Sequence, residues 1–298
     1  MANAEIAKQG KPEEDRPQKS PLRAAWSRLM RNPSGRWSLI ILAVVAAAAL
    51  AAPLLTHYDP IKMSLADRLK PPSGAHWFGT DEVGRDVLSR VLFGGRLSMA
   101  VGLMVVVLAG SVGTALGLLT GYYRGPLDEV LMRGLDIVMA FPPLILAMAV
   151  SAVLGPTLQN AMLATAVVQI PRYTRIVRGE VMVLRQAEYV QAARATGATD
   201  LQILWKYVLP NCFSSILVLS TLSVGTAILT AASLSFIGLG AQQPTPEWGA
   251  MVAGGRTYLL DAPWYPTFPG IFIFLVVLSF NVLGDGLRDA LDPRLKVA

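Results

Sequence analysis

The chain has 298 residues, of which 53% are hydrophobic and only 15% charged, with a net charge of +6 and a mean hydropathy of +0.47. Charge this scarce excludes an ordinary soluble domain. A single cysteine, Cys212, excludes an intrachain disulfide and a thiol-based zinc site, and the two histidines, His57 and His76, read as loop residues.

Residues 1–20 mix Lys, Glu, Asp, Pro and Gln with almost no large apolar side chain, which predicts a disordered tail. Over residues 21–36, Leu22, Trp26, Leu29 and Met30 share one helical stripe beside Arg23, Arg28, Arg31 and Arg36. That pattern suits an amphipathic helix on an anionic leaflet, or a plain basic linker. The uncharged runs Trp37–Leu55, Leu97–Tyr123, Ile137–Ile170, Tyr207–Pro246 and Ala262–Gly284 follow, each long enough for a hydrocarbon core that takes ~20 helical residues to cross. Residues 37–96 thus hold a first span and an outside segment. Within that segment a helix is expected from about Asp81, capped by Thr80, with Val83, Val87, Leu88 and Val91 on its apolar face.

Residues 97–286 form the expected core of spans, and 287–298 a C-terminal tail. Gly113, Gly117 and Gly121 recur at every fourth position, as in a tight helix seam or as ordinary membrane-helix glycine. Pro142 and Pro143 must kink or interrupt a span. The breaker pair Gly155-Pro156 divides Ile137–Ile170 in two. With that division and a cytoplasmic N-terminus, 19 Lys and Arg lie inside and 7 outside; without it the split is 11 to 15. The positive-inside bias therefore predicts six spans with both termini in the cytoplasm.

Between the fourth and fifth expected spans, Pro171–Asn211 is too long for a turn and too patterned for a floppy linker. Val181, Leu184, Tyr189, Ala192 and Ala193 predict one helix, Gly197 a break, and Leu201, Leu204, Trp205 and Val208 a second short helix ended by Pro210. The second helix would present Leu201, Leu204 and Trp205 to a cleft in a partner, or lie on the inner leaflet.

The run QAARATGATDLQILWKYVLP resembles the EAA loop of binding-protein-dependent ABC importer permeases. Gln191, Ala192, Ala193, Gly197, Leu209 and Pro210 occupy its motif positions, with Gln191 in place of the glutamate and Tyr207 in place of an isoleucine. FGTDEVGRDVLSRVLFGGRLS, RGLDIVMAFPPLILA, SLSFIGLGAQQPTPEWGAM and NVLGDGLRDALDPRL resemble segments of dipeptide/oligopeptide C-type subunits. The resemblance implies an all-α, six-span permease of the bacterial inner membrane with a cytoplasmic EAA coupling loop, residues 187–210. It also implies a homologous B-type permease, two cytoplasmic ATPases that bind ATP and Mg, and a periplasmic or lipid-anchored solute-binding protein. Glutathione or a nickel chelate are alternative substrates.

The chain contains no G-x-x-x-x-G-K-[ST], H-E-x-x-H or G-x-S-x-G, so no cofactor, metal or catalytic residue is expected in it. Its basic residues are assigned to membrane topology and contact with lipid, not to nucleic acid. Asp136 and Asp285 sit at span edges and read as interfacial or inter-subunit contacts, which disfavours a proton-coupled transporter. Gln169 and Asn281 either line a path or bond between helices.

Overall fold

The computed structural model of the chain describes residues 27–291, and every regular element in it is a helix. The expected tail 1–20, the first residues of the amphipathic segment and the last seven residues lie outside that range. Residues 27–31 form a helical turn whose Leu29 is buried against Gly35 and Gly286. Arg28 donates to the Ala290 carbonyl at 2.8 Å, so this turn is fastened to protein at the far end of the chain. Asn32 then caps α1, Pro33–Leu50.

The outside segment departs from expectation. Helix α2 starts at Val87, not near Asp81, and runs unbroken to Tyr123, so no boundary exists at 96/97. Its N-cap is Asp86, which accepts from the Ser89 amide at 2.7 Å and pairs with His76 Nδ1 at 2.9 Å. Gly84, at φ +78°, turns the chain where a Cβ would lie 1.8 Å from the Ser64 carbonyl. That turn draws Asp81 inward to accept from Arg85 Nε at 2.6 Å, with Arg90 3.5 Å away. Fully buried Arg90 also donates to the carbonyls of Pro60 and Pro244, at 2.8 and 3.2 Å. Val87 and Val91 of the expected apolar face are buried in the core of the bundle as residues of α2.

After α2 come α3, Pro126–Met139, and α4, Pro143–Leu154, bent by 95° across the break at Phe141-Pro142. Gly155, at φ +98°, leads to α5, Leu158–Leu184, capped by Thr157. Pro171 lies inside α5, so the helix continues about a third of the way into the stretch Pro171–Asn211 expected as loop. The short α6, Glu188–Ala195, precedes α7, Asp200–Phe236. Pro210 does not end a helix either: Ile203–Val208 is wound as π-helix just before it. A widened turn there accommodates the proline ring and its missing N–H. Helix α8, Trp248–Gly255, is capped by buried Glu247, which accepts from the amides of Gly249 and Ala250 at 2.9 and 2.8 Å. Burial pushes the Glu247 carboxyl above the usual carboxylate range, against those two bonds. Helix α9, Trp264–Leu291, closes the fold and passes through the expected boundary at 286/287.

Helices α1, α2, α7 and α9 are long and apolar enough to cross a membrane, and the bent pair α3–α4 makes five if it counts as one span. Helix α5, with Gln169, Arg172, Arg175 and Arg178, falls outside that set.

Gly113, Gly117 and Gly121 lie against Tyr173, Val177 and Val181 of α5, where an added Cβ would sit 2.5 to 2.7 Å from each facing Cβ. The numbers rise together along both helices, so α2 and α5 run in the same direction. Gly117→Val should lower stability by ~1–3 kcal/mol, since the Thr174 carbonyl, 2.9 Å from the new Cβ, leaves no room to yield. Thermal unfolding of the detergent-solubilised protein checks this; an unchanged midpoint would refute the closeness of the seam.

Candidate functional site

The loop between α5 and α7 is built from local rules. Helix α6 ends with Gly197 at φ +89°. The Ala198 amide donates to the Ala193 carbonyl and the Gly197 amide to the Arg194 carbonyl, both at 3.0 Å, which is a Schellman cap. Two residues later Thr199 and Gln202 form a reciprocal capping box that starts α7. The segment expected to be one helix over Val181–Ala193 is interrupted between Leu184 and Glu188.

The motif residues divide by burial. Val190, Ile203, Leu204 and Val208 turn inward onto Val177, Val181 and Cys212, with Tyr207 packed beside them, and Ala193 is buried as well. Leu204, expected on an outward face, is only 6% exposed and belongs to the chain's own core. Gln191, Ala192 and Pro210 are exposed, and Leu209 is half-buried. Gln191 donates to the Gln186 carbonyl at 2.9 Å. Leu201 and Trp205, four residues apart, are each 65% exposed and form an apolar ridge facing away from the bundle.

Sequence reasoning missed the residue that holds this ridge in place. Tyr122, near the end of α2, accepts from Arg194 Nη2 at 2.8 Å and donates to Asp200 Oδ1 at 2.5 Å. The phenol thereby joins α6 to the first turn of α7, and its bond to Arg194 holds that guanidinium above its ordinary range. Arg185 and Arg194 also lie over its ring, 5.8 and 5.6 Å from the centroid. The available signal was position: Tyr122 directly follows the last glycine of the seam. A second tie, Arg178 to both oxygens of Asp128 at 2.7 Å each, fixes α5 to α3.

Tyr122→Phe should leave α2 in place and free both Arg194 and Asp200. Because bonds to charged groups contribute ~1.5–3 kcal/mol, amide exchange over residues 188–202 should accelerate by at least about tenfold while the seam stays protected. Uniform exchange along the chain would show that the phenol does not fasten the loop.

Residues 113–297 match the family described as the inner membrane component of binding-protein-dependent transport systems, and residues 20–72 match the N-terminal TM domain of oligopeptide transport permease C. A dipeptide transport system permease protein of Alkalihalophilus pseudofirmus is 47% identical over 285 residues, 96% of this chain and 94% of its own. A probable D,D-dipeptide transport system permease protein of Escherichia coli is 49% identical over 266 residues, 89% of either chain. A glutathione transport system permease protein of Pectobacterium atrosepticum is 46% identical over 283 residues, 95% of this chain and 94% of its own. Among solved structures, the inward-facing MetNI methionine ABC transporter superposes with a TM-score of 0.54 at 21% identity, over 67% of this chain and 95% of that one, a likeness of fold. The chain belongs to the binding-protein-dependent transport inner membrane family, as a multi-pass permease subunit of the oligopeptide permease C type in an ABC importer, with ATP hydrolysis left to other subunits.

Proposed function

We propose that the chain is the C-type permease of an importer for di- and oligopeptides, and that residues 187–210 are its seat for a cytoplasmic ATPase. The observation that carries the second part is the Leu201–Trp205 ridge, an exposed apolar pair on a loop that Tyr122 and a buried cluster hold rigidly to the bundle. An apolar pair at i and i+4 fills a groove in a partner, and a rigid seat transmits its motion. Gln191, Ala192, Gly197, Leu209 and Pro210 shape the seat, while Ala193 and Leu204 anchor it from within. The peptide substrate is supported by relatives named for dipeptides; the one named for glutathione supports a modified tripeptide as the second reading.

Six spans with both termini in the cytoplasm fit the 19-to-7 charge split and the direction of α5. Because α5 runs parallel to α2, the chain must recross the bundle between Tyr123 and Leu158, which α3 and α4 together accomplish. The sixth span is then α5. Its arginines fall in its second half, toward the cytoplasmic headgroups. The proposed assembly adds a homologous B-type permease, two ATPases that bind ATP and Mg, and a periplasmic or lipid-anchored solute-binding protein.

Gly197→Val, which cannot hold φ +89° without strain, and Leu201→Asp should both leave the protein in the membrane. Each should abolish ATPase co-purification and ATP-driven uptake together. Normal docking with an altered choice of substrate would assign the loop to the transport path instead. For topology, a lone thiol at residue 201, after replacement of Cys212, should react with an impermeant reagent only from the cytoplasmic side; labelling from outside would invert the arrangement.

A further inference from the structure

A cleft of about 580 Å³ lies between the α3–α4 elbow, α5 and α7, within the range of small-ligand sites. Apart from the Gln169 amide N–H and Arg172, its polar groups are acceptors. Residues 142 and 143 are prolines, so the carbonyls of Val138 and Met139, which line the cleft, have no helical N–H four residues ahead to accept from. The hydroxyls of Thr165 and Thr226 already donate to their own helices, at the carbonyls of Ala161 and Ser223, and can only accept from anything in the cleft. Gln169 Oε1 is buried with no hydrogen-bond partner. Opposite in kind is Arg172 at the rim, a guanidinium that no carboxylate pairs with among the described residues.

A row of acceptors beside one free cation calls for a ligand with several N–H donors and a carboxylate. A helix of a partner permease could offer only side-chain donors, because its backbone N–H groups are spent on its own carbonyls inside a membrane. An extended peptide qualifies, with unspent amides along its length and a carboxylate at its end. The geometry points to this cleft as a station on the substrate path, where Gln169 and the elbow carbonyls bind peptide amides and Arg172 receives the C-terminal carboxylate. This rests on the peptide reading given above.

The test is uptake by the complete importer in proteoliposomes, supplied with solute-binding protein saturated with a short peptide, so that the rate reports translocation and not capture. Wild type should carry a peptide with a free C-terminus about tenfold faster than its C-terminal amide, and Arg172→Gln should erase that preference. Wild type should likewise disfavour the peptide with N-methylated amides by about tenfold, and Gln169→Leu should carry both forms at the same slow rate. These ratios do not move if a variant merely folds less well. Retention of both preferences by the variants would overturn the proposal, as would loss of the homologous permease on co-purification, which would make the cleft a subunit seam. A wild-type importer that carries no peptide at all would instead refute the substrate reading, and this one with it.

Discussion

The closeness of α2 to α5 is the constraint from which the remaining geometry follows. Three glycines without side chains let two backbones meet at a distance that any β-carbon would forbid, and dispersion over that length replaces the hydrophobic drive that lipid cannot supply. Holding the two helices parallel obliges α3 and α4 to return the chain across the bundle. It also places Val177 and Val181 where the loop residues can pack on them and sets Tyr122 beside Arg194 and Asp200. Tyr173 extends the contact to α7 through Ser220, at 3.2 Å.

At the other end of α2 the fold relies on charge instead of shape. Arg90 has no exposed surface, and its guanidinium gathers backbone carbonyls from two distant loops beside the Asp81 carboxylate. Truncating such a group would leave its buried partners unpaired, which costs more than the intact contacts contribute. Together with Glu247 and with Trp248, which donates to the Val91 carbonyl at 2.9 Å, it binds the loops at this end into one block. One end of the molecule is thus fastened by ion pairs, the other by a phenol and a cluster of valines and isoleucine.

What the sequence made legible was whatever depends on local pattern. Apolar runs gave the four long apolar helices, Gly197 the turn, and Pro142-Pro143 the break. Helix limits set by tertiary contact were not legible. Asp81 and Glu82 look like first-turn acids, and only the folded position of Arg85 and Arg90 shows why the helix waits for Asp86. Pro171 and Pro210 look like terminators, yet one sits within α5 and the other follows a π-wound segment. Leu201, Leu204 and Trp205 look equivalent by spacing, but the loop's packing on α5 buries the middle one alone. Tyr122 carries no motif, since its partners lie more than seventy residues away.

The widened winding at Ile203–Val208 makes α7 an unbroken rod from Asp200 to Phe236. A helix that length is a rod of ~55 Å, with the Leu201–Trp205 ridge near one end and, in its other half, Thr226 and Thr230 beside the elbow cleft. Had Pro210 ended the helix, a push at the ridge would have been absorbed by a joint. If the rod moves as one body, a tilt of ~10° about its middle shifts each end by roughly 5 Å in opposite senses and Thr226, nearer the middle, by roughly 2 Å. The proline that seemed to mark the limit of the loop therefore lies within the shaft, and the ridge and Thr226 sit on one continuous helix.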